Sequence, residues 1–315
     1  MINNCSFDSV DNLMRYSELI IYIPIFLIGM IVNFTALVLF CACFPKWTES
    51  AIYMTSLALM DLLLLLPLPF KMHAAYHTWD KHLLPLCLVL ENLYFVGIYG
   101  SIYMIMCIAM DRWVSICYPF RSKQLRSPKV AVMICIGVWL LVFAAIFPVT
   151  YNFGENRQEK FHCFHGFSKK GWSPGVIICL QVFGFLGPAL VIICCSIHNI
   201  GTLKQSGQHS AQSRACVKII YSSLGAFLVP FTPSHLGIFL QFLVHQGMIQ
   251  DCDTKKHISM FIQISMCLSN ITCCLDAFCY YFIAREMRSP RQMLTNRNSR
   301  RTTFSTSEIH DGCAL

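Results

Sequence analysis

Residues 93–117 read LYFVGIYGSIYMIMCIAMDRWVSIC. An uncharged apolar run, close to the roughly 20 residues needed to cross a bilayer, ends in Asp111, Arg112 and Trp113. Charges at the margin of hydrocarbon are expensive and mark functional sites by default. The preceding run carries a lone acid, Asp61, between Met60 and Leu62, and a carboxylate at that depth has the same implication.

The same length criterion places runs near Glu18–Cys43, Ala51–Tyr76, Pro85–Cys117, Val130–Thr150, Gly175–Leu203, Cys216–Val244 and His257–Ile283. That makes seven, and an odd number puts the two termini on opposite sides. Helices are the only open segments that satisfy their own backbone in lipid. The predicted fold is therefore an all-α membrane protein, a seven-transmembrane helix bundle. Composition agrees: 56% of the 315 residues are hydrophobic and 13% charged, too apolar for an ordinary soluble domain. The implied organisation is an extracellular amino terminus over 1–17, the bundle over 18–283, a short amphipathic eighth helix over 284–295 and a disordered cytoplasmic tail over 296–315. Residues 1–17 are polar and the first run is long enough to span, so that first helix is expected to direct membrane insertion.

Orientation follows from Lys and Arg in the short loops. With the amino terminus outside, the inner segments hold Lys46, Arg121, Lys123, Arg126, Lys129, Lys204, Arg214, Lys218 and six arginines from Arg285 to Arg301, fourteen in all. The outer segments hold eight: Arg15, Lys81, Arg157, Lys160, Lys169, Lys170, Lys255 and Lys256. The net charge of +8 then faces mainly the anionic inner leaflet, and nothing in the chain resembles a soluble basic domain for nucleic acid. A plasma-membrane protein with its amino terminus outside is the expectation.

Of eighteen cysteines, only Cys5, Cys87, Cys163 and Cys252 fall outside the membrane or at its outer edge. Four cysteines allow three pairings. The preferred one in an oxidising exterior joins Cys87 to Cys163, tying the third helix to the second outer loop, and Cys5 to Cys252, tying the amino terminus to the third.

Seven short motifs on successive runs carry a resemblance: Gly29-x-x-x-Asn33, Leu57-Ala58-x-x-Asp61, Asp111-Arg112-Trp113, Trp139, Pro188, Pro233 and Asp276-x-x-x-Tyr280. Together they resemble the rhodopsin-class (class A) G protein-coupled receptors over nearly the whole chain. Within that class, Leu68-Pro69-Phe70-Lys71-Met72, Leu125-Arg126-Ser127-Pro128, the segment from His235 to Val244 and the segment from Cys273 to Phe282 are similar to receptors for lysophosphatidylinositol.

Arg112 cannot lose its charge, so at rest it needs a partner, which adjacent Asp111 is expected to supply. In the active state it would face a G protein helix entering from the cytosol. The inner end of the sixth run offers Ser213, Arg214 and Lys218 but no carboxylate to latch Arg112, which predicts measurable basal signalling. The resemblance implies switch roles for Asp111, Arg112, Trp113, Phe227, Phe231 and Tyr280. It also implies that Asp61, Ser101, Thr272 and Asp276 converge on a sodium ion; the alternative for Asp61 is that it holds a proton. Three positions depart from the class pattern: Phe231 where Trp is usual, Ala277 where Pro follows Asp276, and Ser196 where Tyr is common. Without that proline the seventh helix should kink less.

Lys71 lies in the outer third of the second run, where a cation must pair, snorkel or meet an anionic ligand; Glu91 is its expected partner. Tyr94, Phe95, Met72, Ile238 and Phe242, with Phe164 and His165 after Cys163, suggest a long apolar chamber with a polar mouth, suited to an anionic amphiphile. The resemblance implies lysophosphatidylinositol, with Lys71 on the phosphate, Glu91 near the inositol and the acyl chain among the aromatics. A kynurenate-like acid is the alternative. Heterotrimeric G proteins of the twelve/thirteen and q classes, receptor kinases and arrestin are the implied partners, the last two acting through Thr302, Thr303, Ser305, Thr306 and Ser307.

Other signals carry less. His73 and His77 are four apart but lack the glutamate of a metalloprotease helix. Asn4-Cys5-Ser6 is the only reachable glycosylation pattern. No lysine sits in the seventh run to carry a retinal, no inverted repeat suggests a transporter, and no nucleophile and base at useful spacing suggest an enzyme.

Overall fold

Leu-Pro-Leu-Pro at residues 66–69 shows how this chain builds a bent transmembrane helix. A proline has no backbone N–H to donate, so the helix Glu49–Leu65 ends in a turn at Leu66 and Pro67 and restarts as Leu68–Tyr76. The restarted segment is re-aimed, and it carries Lys71 into the bundle.

The computed structural model describes residues 5–42, 47–154, 159–164, 169–205 and 211–281. Seven helices there are long and apolar enough to cross a membrane: Asp8–Cys41, Glu49–Tyr76, Lys81–Cys117, Pro128–Tyr151, Pro174–Gln205, Cys216–His245 and Cys252–Tyr281, called here the first to seventh spans. The first begins ten residues before the apolar run near Glu18, because Val10 and Met14, four apart on one face, are buried. Asn4, His165, the expected eighth helix at 284–295 and the tail at 296–315 lie outside the described residues.

The second and third spans form the centre, each largely enclosed, while the first, fourth and fifth present most of their surface outward. Small residues let the central pair approach: a methyl group on Gly97 would fall 2.5 Å from the backbone nitrogen of Leu64. Trp139 of the fourth span donates to Ser56 of the second at 2.9 Å. Disulfides Cys5–Cys252 and Cys87–Cys163, with Cα atoms 5.7 and 5.8 Å apart, join the expected partners. They lie at one end of the bundle, where Trp79–Asp80 also pairs antiparallel with Lys160–Phe161.

Prolines set the remaining bends. Before Pro188 the fifth span widens into a π-helical turn at Val182–Leu186. In the sixth, Pro230 leaves the Ala226 carbonyl, four residues earlier, without its helical donor, and the Thr272 hydroxyl takes it at 3.1 Å. The seventh span, expected to kink less for want of a proline at 277, breaks nearly two turns before that position instead. Its first segment ends at Ser269, Asn270 and Ile271 form a turn, and helix resumes over 272–281. The Asn270 amide donates to the carbonyls of Met266 at 2.6 Å and Cys267 at 3.4 Å, a local competition with the helix ladder that asparagine readily supplies.

Candidate functional site

At the disulfide-bearing end, a cavity of about 300 Å³ opens among the first, second, third, sixth and seventh spans. Lys71 lies in its wall. It is 8% exposed; its Nζ donates to the Tyr94 hydroxyl at 3.2 Å and sits 4.4, 5.2 and 5.9 Å from the ring centres of Tyr94, Tyr22 and Phe164. Aromatic faces hold a cation electrostatically without neutralising it. The expected Lys71–Glu91 ion pair is not formed. Glu91 is sealed behind the cavity, and its carboxylate accepts the backbone N–H of Phe164 at 2.9 Å.

That bond positions Phe164. Its backbone φ is +66°, a left-handed conformation costing a non-glycine residue on the order of 1–3 kcal/mol. The adjoining Cys87–Cys163 disulfide and the Glu91 carboxylate hold it there, so the ring stands edge-on to Tyr94 at 5.8 Å in the cavity wall. Glu91, expected near an inositol, is not among the residues that line the cavity and adjoins it through Phe164.

Tyr94, Phe95, Phe164 and Lys71 line the cavity as the sequence suggested. Ile238 and Phe242 do not. The sixth span turns Gln241 and His245, four apart, toward the space, and Glu18, Tyr22, Trp172, Ser259, Ile262, Gln263 and Met266 complete the wall. Reading apolar residues as the lining overlooked this polar face and the acid Glu18. The long chamber expected for an acyl chain is a short cavity, at the lower end of small-molecule sites.

Mid-bundle, Asp61 is fully buried and accepts from Ser101 at 2.7 Å and Tyr280 at 3.0 Å. The Tyr280 oxygen also lies 3.0 Å from the Asn33 amide oxygen, and Asn33 donates to the Gly29 and Cys273 carbonyls. Three helices are therefore joined through one phenol. Asp276 is equally sealed, and neither of its carboxylate oxygens has a hydrogen-bond partner among the described residues. A buried carboxylate in that condition requires a cation or a proton, and the oxygen-rich set of Asp61, Ser101 and Asp276 fits a hard cation. Thr272 spends its proton on Ala226.

At the opposite end, the Asp111 carboxylate is taken by Arg126, which forks onto both oxygens at 2.7 and 2.8 Å and lies 4.0 Å from Glu49. This corrects the expected Asp111–Arg112 pairing: Arg112 instead donates to the Ser50 hydroxyl at 3.0 Å. Bidentate geometry is the strong form of such a pair. Trp113 is half-buried and stands edge-on to Tyr118 at 5.2 Å. Phe227 and Phe231 are buried, 5.7 Å apart, with Phe185 stacked on Phe227 at 5.7 Å.

A sequence profile described as "7 transmembrane receptor (rhodopsin family)" matches residues 32–280. The chain belongs to that family. This receptor is 42% identical over 292 residues to G-protein coupled receptor 55 of Homo sapiens, covering 90% of each chain. It is 32% identical over 272 residues to Lysophosphatidic acid receptor 4 of Mus musculus, covering 83% of this chain and 73% of that one. It is 33% identical over 277 residues to G-protein coupled receptor 35 of Homo sapiens, covering 85% and 84%. Membership makes the receptor a multi-pass membrane protein of the G protein-coupled class and not an enzyme.

Proposed function

We propose that this is a plasma-membrane receptor, amino terminus outside, for an anionic lysophospholipid, with lysophosphatidylinositol the leading ligand. The observation that carries this is Lys71, a buried cation at a cavity wall, held by three aromatic rings and one hydroxyl and left with charge to offer. Likeness to a receptor named for lysophosphatidic acid supports the ligand class. A head group fits about 300 Å³, and the acyl chain would lie beyond it, between helices. Agonist binding favours a bundle whose sixth span parts at the inner end and exposes Arg112 to a G protein of the twelve/thirteen or q class, a shift of population rather than chemistry. Receptor kinases and arrestin would act through the tail.

The test is a cell-based panel of acyl-matched lysophospholipids, small acids and peptides on the receptor and on Lys71→Ala at matched surface expression. A lipid response lost in the variant supports the reading; a peptide response indifferent to it overturns the reading. A small kynurenate-like acid is the second reading, favoured by the cavity's volume, and the same panel separates the two.

A sodium ion at Asp61, Ser101, Thr272 and Asp276 is proposed as a modulator, on the strength of the two oxygens of Asp276 that lack partners among the described residues; the Thr272 and Ser101 hydroxyls donate their protons elsewhere and keep oxygen lone pairs for the ion. Sodium is expected to lower agonist potency in the parent and to have no effect in Asp61→Asn or Asp276→Asn. Unchanged sodium sensitivity in both variants would remove the ion from the scheme.

A further inference from the structure

Glu18 makes no hydrogen bond or ion pair among the described residues, and its charge acts on Lys71 only across the space the two share. It is 5% exposed on the first span, lines the same cavity as Lys71, and its Oε2 has no hydrogen-bond partner among the described residues. Gln241, on the sixth span, lines the same cavity and holds a second buried oxygen in the same condition. No ion pair joins Glu18 to Lys71 among the described residues, although the two share one small space. Burying an acceptor without a donor costs on the order of 1–3 kcal/mol, so these oxygens are matched only when something in the cavity donates to them.

We propose that Glu18 and Gln241 read the head group, selecting a polyhydroxyl ligand over a bare phosphate; this rests on the lysophospholipid reading above. A phosphate monoester offers acceptors and negative charge. It satisfies Lys71 but is repelled by Glu18 and leaves Gln241 unmatched. A phosphodiester bearing a ring of hydroxyls carries a single charge for Lys71 and several diverging donors. The geometry favours such a ring over a single ammonium group. The two acceptors stand on the first and sixth spans, with the seventh packed against both and adding Ser259 and Gln263, themselves hydrogen-bonded at 3.2 Å, to the wall between them. An ammonium gathers its three donors on one atom, whereas hydroxyls spread around a ring reach further apart.

The experiment compares 1-stearoyl lysophosphatidylinositol, lysophosphatidic acid and lysophosphatidylethanolamine on the full-length parent, Glu18→Leu and Gln241→Leu, with surface expression counted by antibody. The parent is expected to prefer the inositol lipid, and Glu18→Leu to shrink the inositol-to-phosphate potency ratio at least about tenfold, mostly by losing inositol potency and partly by gaining lysophosphatidic acid potency. Gln241→Leu is expected to shrink the ratio about threefold and supplies the answer if Glu18→Leu does not reach the surface. Equal losses for every lipid, or an unchanged ratio in both variants, would overturn the inference and leave the lysophospholipid reading intact. A parent preference for the ethanolamine lipid that Glu18→Leu abolishes would replace the polyol with an ammonium and also overturn it. A parent deaf to all three lipids would sink the lysophospholipid reading itself, and this inference with it.

Discussion

Two cations near opposite ends of the bundle have been treated in opposite ways. Arg126 is forked onto Asp111, with Glu49 close by, so its charge is spent inside the fold. Lys71 is more deeply buried, yet its contacts are one phenol oxygen and three rings, none carrying a formal charge. A completed ion pair works for the fold, whereas a cation with no ion pair among the described residues keeps charge that the ligand proposed above can use. Loss of the first should register in stability and loss of the second in ligand response.

The contrast is sharpest in Lys71→Met, which keeps much of the side-chain volume. Agonist potency is expected to fall at least about a hundredfold, the scale for removing one partner of a buried charged contact, with the melting temperature of detergent-purified receptor nearly unchanged. A large loss of stability with intact potency would reverse the comparison. Arg126→Met should do the converse. Leaving Asp111 buried without its fork is expected to cost about 2 kcal/mol, less than for a fully buried pair because Arg126 is partly exposed, and to lower the melting temperature by about 4–6 °C. Asp111→Asn combined with Arg126→Met should recover part of that loss.

Glu91→Leu tests positioning at the ligand end. With the Phe164 backbone released, potency should drop about tenfold for every lysophospholipid alike, the pattern that separates Glu91 from Glu18. The smallest effect belongs to Asp251, at the amino-terminal cap of the seventh span. Hydrogen bonds from the Thr254 hydroxyl and backbone, at 2.6 and 2.8 Å, hold its carboxyl below the usual range. Its contribution is complete above the unfolded carboxyl value of about 4 and is lost as pH falls through the lower folded value. Amide exchange at Thr254 should therefore quicken on acidification from pH 4 downward, and Asp251→Asn should remove that pH dependence.

Features set by long periodic signals were legible in the sequence. Seven apolar runs became seven spans, and of the three pairings open to the four outer cysteines the preferred one is observed. Asp61 stood out because hydrocarbon makes charge conspicuous, and Asp276 entered through the Asp276-x-x-x-Tyr280 motif of the resemblance. What escaped detection depended on contacts between distant segments or on helical register. Arg126 counted as loop charge and as part of the Leu125-Arg126-Ser127-Pro128 stretch, with no partner foreseen, since nothing local shows that a loop arginine folds back onto Asp111. Glu18 fell at the edge of an apolar run and looked like its boundary. Gln241 was masked by Phe242, a neighbour some 100° away around the helix. The missing proline at 277 pointed to a straighter seventh helix, but Asn270 breaks it by a means that composition does not disclose.

The proline at 230 has one further effect. By stripping Ala226 of its helical donor it hands that oxygen to Thr272, and a turn further toward the cavity Ser234 reaches the Ser265 carbonyl at 2.7 Å. These two stitches fasten the sixth and seventh spans along their ligand-side halves. Toward the other end the seam passes to soft sulfur contacts, Ser223 with Cys279 at 3.5 Å and Cys279 with Ser222 at 3.6 Å. The pair is sewn shut near the cavity and merely buttoned at the far end, so the seam between the sixth and seventh spans is weakest there.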